Sequence, residues 1–230
     1  MTGHGTDLRI KIELAWPALH RSARQLWNAP GLPARYVEYL LAMHAVVRAS
    51  VPLMDTALAR CRATPADPVA GPLERYLAPH MAEERGHDDW LCEDIAATGH
   101  DPGEALRRVP PAAAAAMVGA QYYWIAHWHP VALLGYIAVL EGWPPHPGLA
   151  SRLAALTGYP VCAFGTLSRH ADADPGHGEE VFRLLDRLPL TVAQEKAVGV
   201  SALHTVSAAA RLLSEIAGGT PAGRGERATS

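Results

Sequence analysis

The sequence predicts an all-α chain folded as a single domain, and three observations carry that prediction. Apolar residues recur three and four apart in one segment after another, the spacing that lines one face of a helix. No convincing alternating strand run and no repeat of roughly 20 to 50 residues breaks that pattern. Hydrophobic residues make up 49% of the 230 positions, enough for one substantial core, and a chain of this length needs only one domain.

The elements follow in order. Asp7 to Trp27 carries Leu8, Ile12, Leu19 and Leu26 among charged residues, which predicts one or two short amphipathic helices interrupted by Pro17. After the NAPGLP loop, Val37, Leu40, Leu41, Val47, Val51, Met54 and Leu58 recur at helical spacing from Ala34 to about Arg60, with Pro52 bending or restarting the helix. Leu73 to Thr98 reads as one long helix kinked near Pro79 and ended by Gly99. Asp101 to Val109 is short. The alanine run after Pro110-Pro111 favours helix by propensity.

Pro130 then opens VALLGYIAVLEGW, apolar enough to be buried on all sides and ended by Trp143-Pro144-Pro145. A helix from Gly148 to Leu156 stops at Gly158, and Thr191 with Gln194 forms a capping box for a last helix reaching about Ile216. Roughly seven to nine helices result. The domain is expected over residues 1–217, with residues 218–230, GGTPAGRGERATS, a flexible tail too poor in apolar surface to fold.

Composition excludes several function classes. A net charge of −3, a pI near 6.4 and no basic cluster give no footprint for nucleic acid. The three cysteines, Cys61, Cys92 and Cys162, are odd in number and lack a C-x-x-C spacing, so neither a disulfide framework nor a thiolate zinc site is indicated. No run of about 18 apolar residues and no cleavable leader is visible, so no membrane partner and a cytoplasmic location are expected. A small-molecule substrate is the expected partner, and a homodimer is allowed for.

Three segments carry the chemistry. His170, Asp174 and His177 stand at i, i+4 and i+7, one face if the segment is helical. Asp174 precedes Pro175, so it can equally be the N-cap of a new helix, with His170 ending one half-helix and His177 opening the next. A hinged pair of that kind would be mobile without metal. Glu84 and His87 form a Glu-x-x-His pair, an arrangement used by carboxylate-bridged dimetal sites and also frequent on ordinary surface helices. Glu141 is the charged residue of an otherwise apolar helix. Buried, it needs a cation or a hydrogen-bonded partner; in the last turn, it can instead reach solvent.

Three carboxylates and three imidazoles without thiolate suit two irons, or manganese and iron, and so O2 chemistry. Other residues are weaker candidates: His44 and Asp55 as extra ligands, His80 as a reserve one, Glu83 as a surface or supporting group. Tyr122, Tyr123, Trp124, Trp128 and Trp143 can wall a substrate cavity or simply pack the core.

The segments HMAEERGHDDW, VALLGYIAVLEGW and LSRHADADPGHGEEVFRLLDRLPL, in this order and followed by a long final helix, resemble the haem-oxygenase-like diiron oxidases and oxygenases, a group of iron-containing redox enzymes. The resemblance covers roughly Leu32 to Ile216. It implies a haem-oxygenase-like bundle of about seven core helices, with two Fe(II) ions and O2 as cofactors and an external electron donor allowed for. It places the metal ligands on Glu84, His87, Glu141, His170, Asp174 and His177, with Asp55 as the nearest candidate for a further carboxylate. It also implies a last metal-bearing helix ordered by iron. Members of the family oxygenate amines at nitrogen, cleave C–C or C–N bonds of amino acids, or decarboxylate fatty acids. Here an amino acid or amine-bearing metabolite is preferred over a fatty acid, with Arg48, Arg152 and Arg169 available to meet a carboxylate. Three other readings stand beside it. A thiaminase-like hydrolase would need a cysteine nucleophile, with Cys162 nearest to a ligand segment; a haem-binding protein would need a proximal histidine such as His20; a non-catalytic bundle would leave these side chains solvated.

Overall fold

In the computed structural model, which describes residues 3–172 and 176–219, every regular element among the described residues is helical. The elements run α1 (His4–Asn28), α2 (Leu32–Val47), α3 (Ser50–Ala63), α4 (Ala70–Glu83), α5 (His87–Ala97), α6 (Gly103–Arg107), α7 (Ala112–His127), α8 (Leu133–Glu141), α9 (Leu149–Thr157), α10 (Gly165–Asp172), α11 (Gly176–Arg187) and α12 (Val192–Gly218). Single 3₁₀ turns at Pro130–Ala132 and Val161–Phe164 lead into α8 and α10.

The long helix α12 is the pillar of the bundle, packed by α1, α7 and α8. Its start is fixed as the sequence predicts: Thr191 Oγ1 accepts from the Gln194 backbone N–H, and the Gln194 side chain returns to the Thr191 N–H. Small residues on its inner face let α8 approach closely. A Cβ on Gly135 would overlap the backbone at Val198 and Ala202. Ser201 and Gln121, both fully buried, satisfy each other through Ser201 Oγ donating to Gln121 Oε1 at 2.9 Å.

Three boundaries differ from the sequence expectation. Pro17 does not interrupt α1, which continues for 25 residues. Pro17 is exposed, while Leu8, Ile12, Ser22 and Leu26 are buried on either side of it and pack along α12, so tertiary packing outweighs the missing N–H bond. Pro79 likewise sits inside α4 without ending it. The break expected there comes instead at Gly86, whose φ of 86° lies in the left-handed region open to glycine. Glu84 is therefore the C-cap of α4 and His87 the first residue of α5.

Other elements follow the sequence closely. α2 ends at Val47 and α3 restarts at Ser50, two residues before Pro52. Leu133 to Val139 of α8 are all buried, each large side chain there stabilising the fold by about 1.5–3 kcal/mol relative to exposure. Gly99 and Gly158 take left-handed φ where the sequence places helix ends. The expected tail lies almost wholly beyond residue 219, outside the described residues, and α12 itself runs to Gly218.

The buried side chains form two cores. One joins α1, α3, α4, α7, α8, α11 and α12; the other centres on Tyr36, Leu40, Leu91, Ile95 and Phe164 of α2, α5 and the approach to α10. Met43 packs against both. The candidate site lies at their seam.

Candidate metal centre

A cavity of about 320 Å³ opens where the two cores meet. Its walls are mostly apolar: Leu40, Met54, Met117, Leu133 and Leu212 come from five different helices. The polar groups gathered on it are His80, Glu84, Glu141 and His170, together with the hydroxyls of Ser50, Tyr39, Tyr136 and Thr166. Among the described residues no lysine or arginine lines it.

Ligand-capable atoms of His80, Glu84 and Glu141 all lie within 4.8 Å of one another. His80 is on α4, Glu84 caps that helix, and Glu141 ends α8, so the group ties α4 to α8. His80 Nε2 and Glu141 Oε1 are 2.7 Å apart. Burial pulls the His80 imidazole down, but the hydrogen bond to Glu141 and the charges of Glu141, Glu84 and Glu83 outweigh it and hold the ring above its ordinary value. Glu83 itself is exposed, 3.8 Å from His80 Nδ1.

Glu84 also faces a second pair of imidazoles. His87 Nδ1 lies 3.1 Å from Glu84 Oε1 across the Gly86 turn, and the rings of His87 and His170 meet edge to face at 5.6 Å. Trp90 stacks on His87 at 3.9 Å and contacts His170 edge-on at 5.9 Å. Burial pushes the Glu84 carboxyl up; the His87 contact and the charges of His87, His80 and His170 outweigh it, leaving the group below the ordinary range and ionised. Glu84 thus lies close to both groups of donors.

His170 is oriented by its own helix. Its Nδ1–H donates to the Thr166 carbonyl at 2.8 Å, which leaves Nε2 with a lone pair, the arrangement that suits a metal ligand. The start of α10 is held in turn by Asp94 of α5, buried at 1% exposure. Its two carboxylate oxygens accept from the Gly165 and Thr166 N–H groups at 2.9 and 3.0 Å. The helix that begins with His87 therefore anchors the helix that carries His170.

Of the six ligands named from the sequence, Glu84, His87, Glu141 and His170 come together. Asp174 lies outside the described residues, as does the side chain of His177, although the backbone of His177 belongs to α11. Asp55 is exposed on α3, whereas its neighbours Leu53 and Met54 line the cavity; it points to the solvent side of that helix and is not part of the cluster. His44 is buried but does not line the cavity. His80, held in reserve by the sequence, is in the cluster, because α4 runs unbroken through Pro79 and sets His80 one turn before Glu84.

The aromatic wall is also different from the expectation. Only Trp143 of the five named aromatics lines the cavity; Tyr122, Tyr123 and Trp128 are exposed at 36%, 63% and 43%, since α7 turns Met117, Gln121 and Ile125 inward instead. Trp16, Trp27, Tyr39 and Tyr136 supply the aromatic lining, with Trp16 stacked on Trp143 at 4.7 Å. The apolar stripe of α1 was the available signal for Trp16 and Trp27, hidden by reading Pro17 as a break.

The donor set fits iron: carboxylates and imidazoles without sulfur, mostly buried, with His170 oriented by a hydrogen bond from outside the cluster. None of the three cysteines lines the cavity, and Cys162 is exposed. His20 is exposed on α1, away from the cavity lining.

A family model described as iron-containing redox enzyme matches residues 23–212. No curated protein matches the sequence. Among solved structures, a domain of unknown function with a haem-oxygenase-like fold from Shewanella denitrificans is similar with a TM-score of 0.77 at 19% identity, covering 92% of this chain and 90% of its own. A TenA homologue from Pseudomonas syringae pv. tomato is similar with a TM-score of 0.69 at 15% identity, covering 90% and 91%. At such identities the likeness establishes the fold, and the family match extends over most of the chain: this all-helical, haem-oxygenase-like protein belongs to the iron-containing redox enzyme family.

Proposed function

We propose that the protein is a non-haem diiron oxidase or oxygenase that uses O2 to oxidise a small metabolite bound in the central cavity. The observation that carries this reading is the position of Glu84, whose carboxylate lies close both to His80 and Glu141 and to His87 and His170. A carboxylate between two imidazole-bearing groups is what a pair of ions needs as a shared ligand. Asp174 and His177 complete the proposed ligand set. Two irons held there would supply the electrons that activate O2 beside the substrate.

The residues of the chain prepare that chemistry. Glu84 is ionised and needs no proton removed before it ligates. In the neutral ring His170 presents Nε2 unprotonated, because its one N–H, at Nδ1, donates to the Thr166 carbonyl. His80 and Glu141 share a hydrogen bond that must open for either to ligate, with the proton on His80 Nε2 released to solvent or kept by the pair. The apolar walls exclude water and leave few side reactions for an activated oxidant.

The cavity alters the substrate expectation. Arg48, Arg152 and Arg169 are all absent from its lining; Arg169 lies over Trp90 and pairs with Glu93, and Arg152 bonds Asn28. An amino-acid carboxylate therefore meets no lysine or arginine among the described lining residues, and the walls favour an apolar body. A thiaminase-like hydrolysis finds no cysteine in the cavity. The test is O2 uptake by the iron-loaded chain with candidate substrates, against His170→Ala and Glu84→Ala: both variants should keep the helical content and lose the O2 reaction, and retention of that reaction by both would sink the assignment.

A further inference from the structure

The Tyr136 hydroxyl on the cavity wall has no hydrogen-bond partner among the described residues. Tyr136 lies on α8, five residues before Glu141; its side chain is 2% exposed and lines the cavity. Its Oη has no hydrogen-bond partner among the described residues. A buried phenol usually finds an acceptor, because leaving the O–H unpaired forfeits its bond to water without replacement. Leu133, Ile137 and Met117 line the same cavity.

The hydroxyl has a proton to donate and, among the described residues, no acceptor for it. Burial above all, then the charges of Glu84 and Glu141, pushes its ionisation upward, so it stays a neutral phenol through the physiological range. Any acceptor must come from what enters the cavity. That acceptor is better neutral than anionic: among the described residues the walls carry Glu84 and Glu141 and no lysine or arginine, so a charged carboxylate would meet like charge there and lose its water.

We propose that Tyr136 Oη–H anchors the substrate, and that the substrate class is an elongated apolar molecule bearing one neutral oxygen acceptor, a ketone, aldehyde, ester or amide carbonyl. The apolar body lies against the cavity walls, and the carbonyl oxygen accepts from Tyr136 at the end where Glu84 and Glu141 stand. The proposal rests on the cavity being the substrate site, as argued above, but not on the number of irons.

Its test therefore separates the two. Binding of 2-octanone and of octanoate to the full chain is measured by titration, first without metal and then after anaerobic Fe(II) loading, for the parent and for Tyr136→Phe. In the metal-free chain 2-octanone should bind and octanoate should not, and the variant should bind 2-octanone about 3- to 10-fold more weakly, the loss of one hydrogen bond. Without ligand the variant should unfold at the same temperature as the parent or higher, since it loses only an unpaired hydroxyl. Equal affinity of both proteins for 2-octanone, no binding of 2-octanone, tighter metal-free binding of octanoate, or a lowered unfolding temperature of the unliganded variant would each overturn the assignment. None of these outcomes alters the iron count, so failure here leaves the metal reading to its own measurement.

Discussion

The His80 imidazole and the Glu141 carboxylate meet at 2.7 Å, Nε2 to Oε1, and so close α4 against the end of α8. With His80 only 7% and Glu141 21% exposed at the side chain, the pair is a buried contact rather than a surface one. Glu141→Ala removes the acceptor and leaves a mostly buried imidazole without it. The metal-free variant should lose about 1–3 kcal/mol of stability, read by chemical denaturation, and its iron uptake should fall sharply. Glu141→Gln, which keeps an acceptor oxygen, should recover most of the stability but not the iron uptake.

Asp94 gives a second prediction. Its carboxylate accepts from the Gly165 and Thr166 N–H groups and thereby starts the helix of His170. Asp94→Ala should cost about 1–3 kcal/mol, the loss of a helix N-terminal partner inside the core, and should speed hydrogen exchange at the amides of α10 before the rest of the bundle. Unchanged exchange there would show that α10 is held by its apolar contacts alone.

Helix α8 is held against α12 by the absence of a side chain at Gly135. Gly135→Ala would drive a methyl into the Val198 and Ala202 backbone, and overpacking of that kind costs about 1–3 kcal/mol or more. Gly119 provides the contrast. It is exposed in the middle of α7 and a Cβ there meets nothing within 4 Å, so Gly119→Ala should stabilise by about 0.5–1 kcal/mol. Thermal unfolding of the two variants checks both signs together.

The sequence showed the fold more fully than the site, for reasons visible in single residues. Thr191 and Gln194 form a capping box through contacts three residues apart, and Gly99 and Gly158 end helices through their own backbone freedom, so each is readable locally. Pro17 and Pro79 mislead because the cost of a proline inside a helix is local while the packing of α1 along α12 and the burial of Tyr76, Leu77 and His80 on α4 are not. That same error hid Trp16 and Trp27. Glu84 and His87 were visible as a pair, and they do meet, but through a glycine turn between two helices rather than along one. Asp94 gave no signal at all: its partners lie seventy residues away in sequence, at Gly165 and Thr166.

A pH prediction comes from the opposite end of the bundle. His129 Nε2 donates to Asp67 Oδ2 at 2.6 Å while its Nδ1 accepts from the Val131 N–H at 3.1 Å, joining the start of α4 to the turn before α8. Burial pushes the Asp67 carboxyl up, but the His129 bond, the Val69 N–H bond and the His129 charge outweigh it and hold the group below its ordinary value. A carboxyl depressed in the folded state contributes stability that is present above the unfolded pKa of about 3.9 and is lost as pH falls through the folded pKa. Asp67→Asn should therefore destabilise the protein at neutral pH by about 1–2 kcal/mol. The gap to the parent should narrow as pH drops below about 4; a gap that stays constant through that range would contradict the assignment.

Anaerobic Fe(II) titration of the metal-free chain, with bound metal counted per polypeptide and the parent compared with Glu84→Ala, tests the central claim most directly. The account predicts two irons for the parent and loss of both sites together in the variant, because Glu84 faces both groups of donors. One iron in the parent, or a variant that still binds two, would contradict it.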